Sequence, residues 1–79
     1  MIRVTFVEIW GPSREVSSEL YYAGDTAQQV LTKHSVNPET RSIYLNGLLA
    51  TKDQLKQPLQ TLCAEGARLF MTVKPKNQR

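Results

Sequence analysis

The sequence has 79 residues, with ten Lys and Arg side chains against seven Asp and Glu and a formal net charge of +3. This length holds one small domain, and 41% hydrophobic with 22% charged residues is typical of a globular rather than a disordered chain. The one cysteine, Cys63, excludes an internal disulfide framework and a metal site made of cysteines alone. Without such cross-links, a domain of this size needs a well-patterned apolar core.

The expected location of the protein follows from the same features. No segment approaches the roughly 20 apolar residues of a membrane-spanning helix. Near the first residues, Glu8 interrupts any apolar stretch of the kind found in a signal peptide. A free thiol fits a reducing compartment. We therefore expect a cytoplasmic protein.

Residues 1–22 predict an antiparallel hairpin. Apolar and polar residues alternate up to Phe6, and the broken alternation at residues 7–8 is typical of a bulge or a strand end. Residues 11–13 are a turn signal, and residues 15–22 resume strand character. One side of this second strand carries Val16, Leu20 and Tyr22.

A capping box begins the predicted main helix. Thr26 and Gln29 have the spacing at which a side-chain hydroxyl and a side-chain amide satisfy each other's main-chain N–H groups. One helical face follows at spacings of three and four, and it carries Ala27, Val30, Leu31 and His34. The helix is expected to end near Ser35, before Pro38.

The remaining segments predict three more strands and a short helix. Asn46-Gly47 is the strongest hairpin signal, joining strands 42–45 and 48–50. Thr51 and Gln54 form a second possible capping box, whose helix Pro58 limits. An irregular crossing segment with core contacts at Leu59, Leu62 and Cys63 leads to a turn at residues 65–66. The last strand, residues 68–74, directs Leu69, Met71 and Val73 to one face.

These elements predict an α+β fold in which a mixed sheet of four to five strands packs on one main helix. The first and last strands run parallel in the centre, because a long crossover that contains the helix joins them. We expect one domain over residues 1–74 and a flexible basic tail over residues 75–79.

Several of these segments resemble the ubiquitin-like β-grasp superfamily. The matching features are Gly24-Asp25-Thr26 before the helix, Tyr44-Leu45-Asn46-Gly47 in the second hairpin, and Pro58-Leu59 followed by Glu65-Gly66-Ala67-Arg68-Leu69 at the last strand. Within that superfamily the pattern looks most like the small sulfur carriers of thiamine and molybdopterin pathways. The resemblance covers roughly residues 1–74 and implies the ubiquitin-like fold.

The sequence departs from those carriers at its C-terminal residues. Sulfur carriers and conjugated ubiquitin-like proteins present a Gly-Gly carboxylate to an adenylating enzyme. Here the last residues are Lys76-Asn77-Gln78-Arg79, and no Gly-Gly pair occurs in the sequence. The resemblance therefore implies a relative that is not activated as a carrier.

Catalytic and metal-binding patterns are missing from the sequence. His34 and Cys63 have no third orienting group in evidence, so we interpret them as a helix-end residue and a small core residue. The four glycines are scattered singly, the acidic residues are dispersed, and no metal-ligand spacing occurs. We expect no enzyme activity, no cofactor and no metal.

Two groups of residues are candidates for binding. Ubiquitin-like proteins are usually recognised through the open face of their sheet, and that face is expected to offer Arg3, Thr5, Ser17, Glu19, Phe70 and Thr72. The predicted partner-binding residues of this face and the hairpin are Trp10, Tyr21, Tyr44 and Phe70. The second group is basic. Residues 66–79 contain no Asp or Glu and carry Arg68, Lys74, Lys76 and Arg79.

Three hypotheses for function follow. The first is a non-enzymatic module that docks on a larger enzyme or assembly. The second is a nucleic-acid-binding domain that uses the C-terminal cations, although the sequence lacks the dense basic and aromatic mixture that single-strand binding favours. The third is a degenerate carrier-like protein that binds an adenylating enzyme without being activated. No membrane association is expected.

Overall fold

A computed structural model of the chain describes residues 1–63 and 66–76. In chain order its elements are β1 (Ile2–Trp10), β2 (Ser13–Tyr21), α1 (Ala27–Lys33), β3 (Arg41–Leu45), β4 (Leu48–Leu49), α2 (Lys52–Leu55), α3 (Leu59–Leu62) and β5 (Arg68–Pro75).

The strands form one five-stranded sheet in the order β2-β1-β5-β3-β4. The central pair, β1 and β5, is parallel, and every other pair is antiparallel. This is the predicted mixed α+β sheet with the first and last strands at its centre. β2 and β4 are its two edges.

The apolar core lies between α1 and one face of the sheet, which we call the helix face. The opposite face is called the outer face. The helix contributes Ala27, Val30 and Leu31 to the core, and each of the three is fully buried. The alternating residues of β1 and β5 meet them from the sheet, and Leu59 of the crossing segment closes one end. The predicted core positions of the two central strands are therefore confirmed.

Local signals account for the helix starts and the second turn. Thr26 accepts a hydrogen bond from the Gln29 N–H, while the Gln29 side chain accepts from the Thr26 N–H. Thr51 and Gln54 form the same box at the start of α2. In the second hairpin Asn46 and Gly47 have φ values of 52° and 85°, the positive values that a type I′ turn requires.

The predicted bulge in the first strand is absent. β1 and β2 pair without interruption from Ile2 opposite Tyr21 to Trp10 opposite Ser13. The alternation breaks at Val7 for another reason: Val7 lies on the outer face, where side chains from the neighbouring strands bury it.

The orientation expected for β2 is also wrong. Pairing places Val16 opposite Val7 and Leu20 opposite Arg3, so both apolar residues lie on the outer face. Ser17 and Glu19, which we expected there, lie on the helix face opposite Phe6 and Val4. β2 is an edge strand, and Tyr21 is its one buried side chain, so the hydrophobic pattern of the strand does not report which face points to the core.

The crossing segment contains a feature that the sequence analysis described only as irregular. Residues 59–62 form the single helical turn α3. Its start is fixed by the loop between β2 and α1, since Leu59 N–H donates to the Asp25 carbonyl at 2.7 Å and Gln60 N–H donates to the Ala23 carbonyl. Leu62 and Cys63 pack against the core from its edge.

The predicted tail falls partly outside the described residues. Pro75 ends β5 and Lys76 lies in the turn that follows, whereas Arg79 and Glu65 are among the residues that the structure does not describe. The domain limits therefore stay a prediction. In the described part of the chain, no helix is long and apolar enough to cross a membrane.

Candidate binding surface

A row of side chains crosses all five strands on the outer face. The strand register places them side by side in the order Val16, Val7, Thr72, Tyr44 and Leu49. Four of the five are apolar or aromatic, so the row is a continuous, mainly apolar band across the sheet.

The ends of this band are open to solvent, whereas its centre is covered. Val16 is 61% exposed and Leu49 is 63% exposed, but Val7 is only 6% exposed. Phe70, on β5 beside the band, is 48% exposed, and Leu20 at the β2 edge is exposed as well. Several exposed apolar side chains on one face are a feature of interaction surfaces.

The outer face is also basic. Four cationic residues flank the band on three strands: Arg3, Arg14, Arg68 and Lys74. The acidic residues of the strands all lie on the helix face: Glu8, Glu15 and Glu19. The described strands thus present cations and no carboxylate on the outer face, and the sign of this surface is positive.

Two of the predicted partner-binding residues belong to this face. Phe70 and Tyr44 lie on the adjacent strands β5 and β3, two residues apart in register, because Tyr44 is opposite Thr72. The Lys74 ammonium lies 5.1 Å from the centre of the Tyr44 ring, in the range of a cation–π contact. Phe70, Tyr44 and Lys74 therefore share the outer face, and their role in partner binding stays a prediction.

Trp10 occupies a different place. It lies on the helix face at the end of β1 and is 44% exposed. The Arg41 guanidinium stacks 3.6 Å from the centre of its ring and donates to the Glu8 carboxylate at 3.0 Å. Both charged side chains are more than four-fifths buried. The cluster connects the first hairpin to β3, and Trp10 contributes to it by packing on Arg41.

Tyr21 is a core residue, contrary to the expectation that it is exposed. It is buried on the helix face, and its neighbour Tyr22 is exposed instead. The Tyr21 hydroxyl is buried without a hydrogen-bond partner in the described structure. Burial raises the pKa of this hydroxyl, and the nearby Glu19 carboxylate raises it further.

The end of α1 is tied to β2 by charge. Lys33 donates to the Glu19 carboxylate at 2.8 Å, and His34 lies 3.7 Å from the same carboxylate. The Lys33 hydrogen bond lowers the pKa of Glu19, and the reciprocal hydrogen bond raises the pKa of Lys33. The His34 ring stacks on Phe6 at 3.8 Å, so His34 is a packed helix-end residue.

The basic residues that the sequence groups in the last strand and the tail are distributed over two surfaces. Arg68 and Lys74 lie on the outer face together with Arg3 and Arg14, which the sequence analysis did not group with them. Lys76 lines a groove between β3, β4 and α2. Arg79 is outside the described residues. The strand register is what assembles the basic face.

The outer face also exposes apolar residues that the sequence reasoning missed, above all Val16 in the band and Leu20 beside it. The signal that could have found them is the broken alternation at Val7, which places an apolar residue on the outer face of a central strand. Within residues 1–63 and 66–76, no three His, Cys, Asp or Glu side chains are grouped to hold a metal ion. Cys63 donates to the Gln60 carbonyl at 3.6 Å, while His34 packs on Phe6.

Comparison with known proteins identifies the fold. No protein-family model matches the chain, and no curated protein matches it. A similar solved structure is that of a ubiquitin-like protein from the hyperthermophilic archaeon Caldiarchaeum subterraneum. It has a TM-score of 0.58 and 10% sequence identity, with 99% of this chain and 100% of that chain covered. The resemblance to the sulfur-carrier branch stays a prediction. The chain has a ubiquitin-like α+β β-grasp fold.

Proposed function

We propose that this chain is a non-enzymatic protein-interaction module that docks on a larger enzyme or assembly through its outer face. The observation that carries the proposal is the apolar band of the outer face, with exposed Val16 and Leu49 at its ends and exposed Phe70 and Leu20 beside it. Burying such side chains against a partner lowers the free energy of the complex, because apolar surface is removed from water.

The flanking cations indicate the charge of that partner. Arg3, Arg14, Arg68 and Lys74 would face carboxylates around the apolar centre of a complementary surface. Charge complementarity of this kind mainly accelerates association and selects the partner, while the apolar contacts hold the complex together.

Two sets of variants test the proposal in affinity capture from source lysate, followed by native mass spectrometry. Val16→Ser combined with Leu20→Ser removes apolar contacts and keeps the charge. Gln60→Ser is the matched control, because Gln60 is exposed on α3, away from the outer face. We expect the double variant to weaken capture of a defined protein at least about tenfold and the control to leave it unchanged.

Recovery of nucleic acid with no protein partner would contradict the proposal. So would a protein partner whose capture is insensitive to the double variant, because that partner would bind elsewhere on the domain.

A second candidate function is nucleic-acid binding, which the basic outer face favours more than the sequence did. The combination of four cations with Phe70 and Tyr44 on one open sheet face is suited to phosphates and stacked bases. A salt series separates the two functions. Nucleic-acid binding predicts a steep loss of affinity with salt, and Arg14→Gln with Lys74→Gln would reduce that slope more than Val16→Ser does.

The carrier-like hypothesis, in which the chain binds an adenylating enzyme without being activated, is a special case of the docking proposal. ATP–pyrophosphate exchange by such an enzyme, with and without the chain, tests it: inhibition supports the hypothesis, and unchanged exchange contradicts it. The cytoplasmic location is part of the proposal and rests on the free Cys63 thiol.

A further inference from the structure

A groove of about 510 Å³ lies at the β4 edge of the sheet, bounded by α2, by the loop before β3 and by β3 itself. We call it the edge groove. Its apolar lining is Pro38, Ile43, Leu49, Ala50 and Leu55. The volume falls within the range of about 300–1,000 Å³ that ligand sites in proteins occupy.

One side of the edge groove is an open strand edge. β4 pairs only with Tyr44 and Leu45 of β3. Beyond them, Ala50 N–H donates to the Ile43 carbonyl at 2.8 Å, and the chain then turns into α2. In the described part of the chain, β5 covers one side of β3, and no strand lies along its other side from residue 41 to residue 43.

The hydrogen-bonding pattern shows which main-chain groups point into that opening. Asn46 N–H donates to the Phe70 carbonyl at 2.7 Å, so the main-chain N–H and C=O groups of Tyr44 and Ser42, at alternate positions of β3, point toward β5. The main-chain groups of the intervening residues, Ile43 and Arg41, point away from β5. The Ile43 N–H and both main-chain groups of Arg41 therefore face the edge groove, where an added strand would find them.

Most of the charged residues that line the groove are positive. Lys52, Lys56 and Lys76 are exposed along its rim, and Glu39 is the one acidic residue among those that line it. Arg41 also lines it, with its guanidinium bound to Glu8. The three lysines come from α2 and from the turn after β5, so they approach the groove from two sides.

We infer that the edge groove binds an extended acidic peptide, which adds as a short strand to the open edge of β3. The open main-chain groups favour an extended polypeptide, the lysines favour carboxylates on it, and Leu49 with Leu55 accepts an apolar side chain. A nucleic acid fits less well, because none of the lining residues is aromatic and main-chain strand pairing is specific to a polypeptide.

The inference concerns a site that shares Leu49 with the surface of the proposed function and otherwise lies apart from it. The edge groove opens beside β3 and α2, whereas the exposed Val16 and Leu20 of the outer face lie on β2, the opposite edge strand of the sheet.

The test is a titration of the isotope-labelled full chain, followed by NMR, with an end-blocked octapeptide of alternating Glu and Val. We expect the largest shifts at the amides of Arg41, Ile43 and Ala50, and little change at Val16 or Leu20. Methylating alternate peptide nitrogens removes the strand hydrogen bonds, and replacing every Glu by Lys reverses the charge. Each change should weaken binding at least about tenfold.

Variants of the chain complete the test. Lys52→Glu with Lys56→Glu should weaken the octapeptide at least about tenfold, while Arg14→Glu, on β2, should leave it unchanged. Leu49→Ser changes no charge and should also weaken binding, which covers the case in which the double variant does not fold.

Four results would overturn the inference. They are no shifts at millimolar octapeptide, shifts centred on β2 or the outer face, equal binding of the N-methylated peptide, and tighter binding of an oligouridine than of the octapeptide at the same amides.

Discussion

Val7 of β1 and Val16 of β2 lie directly opposite each other on the outer face, yet Val7 is buried and Val16 is largely exposed. Val7 is on a central strand, where side chains from β2 and β5 cover it on both sides. Val16 is on the edge strand and has a neighbouring strand on one side only. The outer face is therefore an apolar surface whose centre is already packed and whose ends are available to a partner.

This difference predicts unequal effects on stability. Val7→Ala should lower the free energy of unfolding by about 1–2 kcal/mol, because it removes buried methyl groups. Val16→Ala should change it by no more than about 0.5 kcal/mol, as most surface substitutions do. Urea unfolding followed by circular dichroism measures both. Equal losses would mean that Val16 is part of the folded core, and the docking proposal would lose its main support.

The cluster of Trp10, Arg41 and Glu8 predicts a coupled effect. Arg41→Met should lower the free energy of unfolding by about 1–3 kcal/mol, because it leaves the largely buried Glu8 carboxylate without its ion pair. Adding Glu8→Gln should recover part of that loss. A double-mutant cycle by urea unfolding measures the coupling, and additive losses from the two substitutions would show that the ion pair contributes nothing.

Tyr21 predicts a gain from removing a hydroxyl. Tyr21→Phe should leave the free energy of unfolding at pH 7 unchanged or raise it by up to about 1 kcal/mol, since the buried hydroxyl has no partner. A clear loss in urea unfolding at pH 7 would mean that the hydroxyl forms a stabilising hydrogen bond.

The same residue makes the fold sensitive to alkali. Its pKa is raised in the folded state, so above the ordinary value of 10.0 the unfolded chain loses its proton first and stability falls as the pH rises. Tyr21→Phe should make the decline in Tm above pH 10 shallower. An unchanged decline would assign the alkaline sensitivity to other groups, such as Lys33.

The Glu19–Lys33 pair predicts a change at acidic pH. The pKa of Glu19 is lowered by the Lys33 hydrogen bond, so its contribution is present above the ordinary value of 4.5 and is lost as the pH falls through the lower folded value. The pair is exposed, so the effect should be small and weakened by salt. Thermal unfolding of the wild type and Glu19→Gln should converge at low pH, and a constant difference in Tm across pH 2–7 would contradict this.

Local signals in the sequence predicted part of this structure well. The two capping boxes and the Asn46-Gly47 turn depend only on neighbouring residues, and the structure confirms all three. The orientation of β2 depends on pairing with β1, because an edge strand that overhangs the core has polar residues on both faces. Its pattern alone did not reveal which face is buried.

The basic face illustrates the same limit. Arg3, Arg14, Arg68 and Lys74 come from three strands, and the sequence pattern grouped only the last two, together with the cations of the tail. Only the register places them on one surface while it turns Glu15 and Glu19 to the other. A count of charge along the sequence cannot give this separation, since successive strand residues point to opposite faces.

The most direct test of the docking proposal is photo-crosslinking in source cells from a reactive amino acid at position 20, on the outer face. Position 60, exposed on α3, is the control. We predict a discrete protein adduct from position 20 that is absent from position 60 and is lost when Val16→Ser is added. Equal adducts from both positions, or an adduct to nucleic acid alone, would contradict the proposal that the outer face binds a protein.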